Sequence, residues 1–544
     1  MLAFNRFAPP ARFRLAVKRN LPLAQTESSC PSHQEAETAL NRCLAIGRYL
    51  RDAGLFTPFL DHDPPVSPQA ASWRISPRPF VLSADHMAFF KALGPQLFSF
   101  YRALNRLYHE SAKGTQPAWI ARYLDQGKPD GLVAYSRMKR FRESLPTVIR
   151  PDVIPTQDGM IITELDSVPG GIGLTAAMSH AYTDHDREHT AFNATPRYEL
   201  IGGGDGMVRG FAAMLRAAQR QNGCIAIVVS DEAKDYRPEM AWLAIELRQQ
   251  GVPVWCVEPR ELRFTEGELR LHTDEGEQRV GLIYRFYELF DLPNIPKAEL
   301  IQYAAKKEWV AITPPYKPAL EEKSAFALLH HPVLRSYWDK QLGADCFLHL
   351  RTVMPRTWIL DPAPIPPTAV IADLYVGERP VSDWTDLEAA TQKERHFVIK
   401  PSGFSELAWG SRGVSIGHDL SQTEWAGTLR RALASFPTTP HVLQEFHKGR
   451  LFEMDYLDER TGSMARMAGR ARLSPYYFVT GEEVRLAGIL ATICPADKKI
   501  IHGMQDAVMT PCALVDDAAS VNGEDARRTT TDGRTGSPDR GRRA

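Results

Sequence analysis

The stretch FVIKPSGFSELAWGSRGVSIG at 397–417 ends a short apolar run on Lys400 and follows it with a loop of glycine and serine. A lysine at such a rim is either a solvated strand end or a point charge for a phosphate. A second group with chemical potential is Glu164 and Asp166 in IITELDSVPGGIGL. Alternation along a strand puts both carboxylates on one side, and the glycines that follow let a partner approach the backbone closely. A third is HDREH at 185–189, which satisfies H-x-x-E-H: His185 and His189 would bind zinc, and Glu188 would activate water. That motif needs a helix. Its surroundings hold few large apolar residues, and the chain has 16 histidines, so a solvated loop is the expectation and a zinc metallohydrolase the remote alternative. The phosphate-loop pattern GxxxxGK[ST] is absent. IGGGDGMVRG at 201–210 has Met207 where a dinucleotide fingerprint has its last glycine, and reads as a glycine linker capping a helix from Met207. No Ser/His/Asp or Cys/His set stands out.

The elements that must position these groups follow from pattern. At 544 residues, 44% hydrophobic and 24% charged, the chain can build two or three packed domains. Lysine plus arginine and aspartate plus glutamate each number 65, so no global field favours nucleic acid or an anionic membrane. No apolar run approaches the roughly 18 residues of a membrane span, and none reads as a secretory h-region. The seven cysteines are scattered without a CxxC pair, which suits a reducing cytoplasm rather than a disulfide framework or a zinc knuckle. Residues 1–32 read as a flexible N-terminus and 33–145 as largely helical, with apolar residues at helical spacing. TVIRPDVIPTQDGMIITELD predicts two strands around Gln157-Asp-Gly within 146–200. Strands alternate with helices over 201–319, which predicts a small parallel α/β domain. A mixed region fills 320–515, and 516–544 has the composition of a disordered tail.

Several separated segments agree in order. About 45 residues beyond Lys400, HVLQEFHKGRLFEMDYL supplies a strand entering a polar linker, and upstream PALEEKSAFALLHHP carries Lys323, with Lys307 in QYAAKKEWV as a rival. This order resembles the ATP-grasp superfamily. The acids upstream of the small α/β segment resemble its circularly permuted members, which include eukaryotic-type glutathione synthetase and glutathionylspermidine synthase. The resemblance covers roughly 145–515. It implies an α+β, circularly permuted ATP-grasp fold with an inserted Rossmann-like substrate domain and a helical N-terminal region.

By that resemblance, Lys323 and Lys400 contact ATP, and the loop with Ser402, Gly403 and Gly410 covers the phosphates. The backbone of Gln444, Glu445 and Phe446 meets the adenine edge. Magnesium falls to Glu164, Asp166 and Glu406; Asp166 replaces the usual asparagine, which a cation preferring hard oxygen donors tolerates. Arg412 would clamp the γ-phosphate, Arg150 would hold a substrate carboxylate, and Arg472 is a second anion contact, with Lys498, Lys499 and His502 as further cleft candidates. The implied activity is a carboxylate-amine ligase in the cytoplasm, using ATP and Mg2+ through an acyl phosphate. Its partners are small molecules, an amino acid, peptide or polyamine, with no nucleic acid and no membrane; a homo-oligomer is compatible with the sequence. The rival from another class is a non-catalytic ATP-binding regulator.

Overall fold

The computed structural model describes residues 33–57, 73–166, 168–189, 198–366, 369–408, 410–501 and 506–515. The flexible N-terminus, the tail and His502 lie outside the described residues.

The expected hairpin forms from Val148–Pro155 and Met160–Asp166. Its turn is closed by Thr156, whose hydroxyl donates to the Gly159 carbonyl at 2.8 Å, and Gly159 takes the positive φ of 136°. The register sets Arg150 opposite Asp166 and Asp152 opposite Glu164, with an irregularity between Asp152 and Val153. These strands join a nine-stranded sheet whose centre is the long antiparallel pair Ser463–Thr480 and Glu483–Pro495. Alternation along the former buries both faces: Tyr477 enters one apolar core, Tyr476 and Phe478 the other. Helix Ala84–Ala112 covers the first face. At Gly94 a Cβ would stand 2.5 Å from the Tyr477 ring, so only glycine lets helix and sheet meet there. Helices Ile172–His189 and Gly206–Ala218 cover the second face.

Four parallel strands, in the spatial order Val254–Val257, Cys224–Val229, Gly276–Phe286, Ala311–Thr313, make the main part of a six-stranded sheet, which the antiparallel strands Glu268–Thr273 and Arg263–Thr265 complete. The all-apolar CIAIVV is buried throughout, as a strand covered on both faces must be. A third sheet is antiparallel, in the order Thr357–Ile359, His441–Glu445, Phe397–Pro401, Ser415–Ile416. Helix Gln422–Ala434, opened by the Ser421/Glu424 capping box, backs it with buried Trp425.

Two expectations need correction. The N-terminal region is not helical throughout, because Arg74–Ile75 and Phe80–Leu82 pair in parallel with Val508–Val515 near the other end of the chain. HDREH is not in a loop: the helix runs through to His189. It is held by Ile172, Ala176, Ala177, Met178, Ala181 and Tyr182, which pack into the second core ahead of the motif. Among the described residues no three His, Cys, Asp or Glu side chains are gathered to hold a metal ion. No described helix is long and apolar enough to cross a membrane.

Candidate functional site

The third sheet faces the acidic strand of the hairpin. Lys400, buried at the end of its strand, donates to the Thr163 carbonyl at 3.1 Å and to Gln444 Oε1 at 2.8 Å. Gln444, on the neighbouring strand, also donates to Thr357 Oγ1 at 3.2 Å, which fixes its amide. Lys323 stands 2.7 Å from Glu164 Oε1. Two lysines from separate segments therefore converge on residues 163 and 164. Lys307, by contrast, is exposed and lies over the Tyr303 ring, so Lys323 is the lysine brought to this place.

The register of the hairpin builds the next layer. Arg150 Nη2 donates to Asp166 Oδ2 at 3.0 Å, and Nη1 donates to the Gly170 carbonyl at 3.3 Å. Its Nε lies 3.2 Å from Asp152 Oδ1. Arg472 Nη1 approaches the other Asp152 oxygen at 3.2 Å, and Ser474 donates to Asp152 at 3.1 Å. The Nε groups of Arg150 and Arg472 are buried without a hydrogen-bond partner. Arg150 Nε still faces the Asp152 carboxylate as an ion pair, so Arg472 Nε is the donor left in reserve, which is costly unless something accepts it.

Burial and charge oppose each other throughout this cluster. Burial pushes the Lys400 ammonium down to about 8, and nearby Glu164 only partly restores it. Lys323 is also penalised by burial, but its contact with Glu164 prevails and holds it above the usual lysine value. Burial would raise Asp152, yet Arg150 and Arg472 outweigh it and keep this carboxyl low. At Asp166 burial, reinforced by Glu164, prevails over Arg150, so its proton is held more tightly than usual. Arg150 stays firmly charged between its two carboxylates despite burial.

Other expected residues sit differently. Ser402 is pinned rather than mobile: its N–H donates to the Pro440 carbonyl at 2.8 Å, its hydroxyl donates to Glu322, and it accepts from Ser324 N–H at 3.1 Å. Gly403 is required by close approach, since a Cβ would come 2.1 Å from the Glu321 carbonyl. The loop turns later, at Gly410 and Ser411, both left-handed with φ of 60° and 61°. Arg412 does not reach the lysines; its Nη1 lies 3.2 Å from Glu232 Oε1 of the small α/β region. Glu406 is exposed and is not gathered with Glu164 and Asp166 into a three-acid set. The Glu445 and Phe446 N–H groups are already given to the Arg356 and His396 carbonyls, each at 2.9 Å, so they are not free for an adenine edge. Lys498 and Lys499 are exposed, and Lys499 pairs with Asp419.

Sequence reasoning picked out Lys323 but missed Glu321 and Glu322 before it, in a triplet with the polarity of a solvated helix start. Its three side chains take three partners: Glu321 pairs with fully buried Arg285, Glu322 with buried Lys128, and Lys323 with Glu164. Glu239 was also missed. Its carboxylate accepts from Gly171 N–H at 2.7 Å and Leu174 N–H at 2.9 Å, fixing the glycine turn after Asp166.

Fold and site together define an α+β protein in which lysines, arginines and carboxylates from distant segments are gathered into one cluster. No family model matches the chain, and no curated protein does. Among solved structures, a glutathione synthetase-like effector from Globodera pallida, in its apo form, is similar with a TM-score of 0.52 and 12% identity, covering 89% of this chain and 98% of that one. A putative gamma-glutamylcysteine synthetase from Methylobacillus flagellatus KT is more distant, with a TM-score of 0.38 and 9% identity over 81% of this chain and 90% of that one. The first likeness is one of fold.

Proposed function

We propose that the protein is an ATP- and magnesium-dependent carboxylate-amine ligase of the permuted ATP-grasp type, acting through an acyl phosphate on a small amino acid, peptide or polyamine in the cytoplasm. The observation that carries this reading is the convergence of Lys400 and Lys323 on residues 163 and 164, across three separate segments. The chain order supports it: an acidic hairpin, then the small parallel sheet, then the lysine sheet. The likeness in fold to a glutathione synthetase-like protein supports it as well.

On this reading Lys400 and Lys323 receive the triphosphate as point charges, and the Glu164–Lys323 pair opens to admit it. Arg150 and Arg472, the latter with its unpartnered Nε donor, hold the carboxylate substrate and keep it beside the γ-phosphate. Carboxylate oxygens at Glu164 and Asp166 suit magnesium, which takes one or two carboxylates and completes its shell with phosphate oxygens. When bound, the ion would neutralise the phosphates during transfer. The purine edge meets the linker beyond Phe446, at 447–449. No side-chain nucleophile takes part; the chain's contribution is positioning and charge.

The test is a two-stage assay on the purified full-length chain with Mg-ATP. A pool of carboxylates with hydroxylamine should give a hydroxamate and ADP, and the correct carboxylate-amine pair should give ADP and phosphate. Lys400→Met should abolish both signals while the protein still melts cooperatively. A regulator is the second reading, favoured by the engagement of Glu164 and Asp166 with Lys323 and Arg150. Tight ATP binding with no turnover across a broad screen would establish it.

A further inference from the structure

The small parallel sheet runs, in space, second strand, first strand, third strand, fourth strand. Its connections therefore diverge between Cys224–Val229 and Gly276–Phe286, and in open sheets of this kind ligands lie outside the carboxyl ends of the strands at that divergence. A cavity of about 240 Å3 occurs there. Ser230, Asp231 and Glu232 line it from the end of Cys224–Val229, Arg260 from beyond Val254–Val257, and Asp291 and Asn294 from beyond Gly276–Phe286.

The charges around it are unequally provided for. Asp231 lies 3.4 Å from both Arg237 and Arg260, and Glu232 faces Arg412 at 3.2 Å. Glu258, just outside, takes Arg237 and Arg260. The Lys297 ammonium is spent on the Arg260 and Leu262 carbonyls. Asp291 is only 5% exposed. Its carboxylate accepts one hydrogen bond, from Asn294 Nδ2 at 2.9 Å, and among the described residues it makes no ion pair. A buried carboxylate without a cation is expensive unless one arrives.

We propose that this cavity binds the ammonium group of a small primary amine, with Asp291 as its counter-ion and Glu232 at its rim. The size agrees, since drug-sized ligands occupy sites of roughly 300–1,000 Å3 and this one is smaller. On the ligase reading, on which only the biological role rests, the occupant is the amine substrate. Two contacts tie the cavity to the lysine cluster: Arg412, at its rim, belongs to the loop that follows Lys400, and Arg285 on the adjoining strand pairs with Glu321, two residues before Lys323.

The experiment is calorimetric titration of the full-length protein, without nucleotide, with propylamine, 1,3-diaminopropane and glycinamide, each set against an uncharged counterpart such as propanol. At least one amine should bind and its alcohol or amide counterpart should not. Asp291→Asn should weaken the amine by about 30-fold or more and leave Mg-ATP binding unchanged. Should that variant fail to fold, the amine-against-alcohol comparison on the unaltered protein still decides. Equal binding of amine and alcohol, no amine binding at all, or an undiminished affinity in folded Asp291→Asn overturns the site. Because hydroxamate formation uses ATP, the carboxylate and added hydroxylamine in place of the amine substrate, its presence alongside failed amine binding rejects this cavity alone. Its absence alongside successful amine binding rejects the ligase and keeps the cavity.

Discussion

Two lysines show how differently one side chain behaves when buried. Lys323 keeps its proton because Glu164 stands beside it, whereas Lys317 has no carboxylate in contact. Its ammonium donates to Asn105 Oδ1 at 2.7 Å and to the Arg142 carbonyl at 2.6 Å, two acceptors for three protons. Burial, with Arg142 adding to it and Glu143 opposing it, pushes this lysine down to about 7. Nearby His109 is held to about 4 by burial and is neutral in the same range. The unfolded chain then binds more protons than the folded one between about 7 and lysine's ordinary value of 10.5, so this group's contribution to stability rises with pH across that window. Below about 7 it costs the fold its full penalty. We expect the melting temperature of the wild type to rise, relative to Lys317→Met, between pH 6.5 and 9.5 (roughly the window's ends). Lys400 has the same sign but is common to both proteins. Parallel melting curves for the two would refute the assignment.

At the scale of elements, the turn between Asp166 and helix Ile172–His189 joins the acidic hairpin to the small α/β region. At Gly170 a Cβ would stand 2.1 Å from the Tyr236 ring, and at Gly173 it would stand 2.2 Å from the Glu239 carbonyl. The Gly170 carbonyl accepts from Arg150 and, at 2.8 Å, from Tyr476. Gly173→Ala should push helix Ile172–His189 away from helix Arg237–Gln249, which carries Glu239, at a cost of about 1–3 kcal/mol. On the ligase reading it should raise the KM for the carboxylate substrate with little change for Mg-ATP, measurable by steady-state kinetics and a denaturant titration. This turn also marks the limit of what pattern can reveal. The hairpin was legible because alternation and Gln157-Asp-Gly are local signals, and the parallel strands because CIAIVV and VPVWCV are continuous apolar runs. Lys400 beside its loop was legible for the same reason. The partners of Glu321, Glu322 and Lys323 were not, because a polar triplet carries no mark of the distant Arg285, Lys128 and Glu164 it meets. Nor was the helix through HDREH, whose buried residues Ile172, Ala176, Ala177, Met178, Ala181 and Tyr182 all precede the motif.

For the molecule as a whole, the large sheet is closed by both halves of the chain. Val508–Val515 pairs with Glu483–Pro495, with Tyr198–Leu200, and with both short strands at 74–82. Four neighbours lose their edge if it is removed, and Cys512 and Val508 leave the first core. A chain ending at residue 505 should therefore lose cooperative melting, followed by far-UV circular dichroism; a sharp transition near that of the wild type would contradict this. The same reach across sequence assembles the charged cluster, so the site's geometry depends on the whole sheet being in register.

That dependence gives the small bend at 156–159 an outsized role. Thr156 and Gly159 fasten it, and from there the two strands are counted off until Arg150 meets Asp166. One extra residue in that bend would exchange the sides on which successive groups of the returning strand project, sending both acids away from the lysines. The alignment of the electrostatic cluster is thus fixed by a four-residue bend that belongs to no part of it.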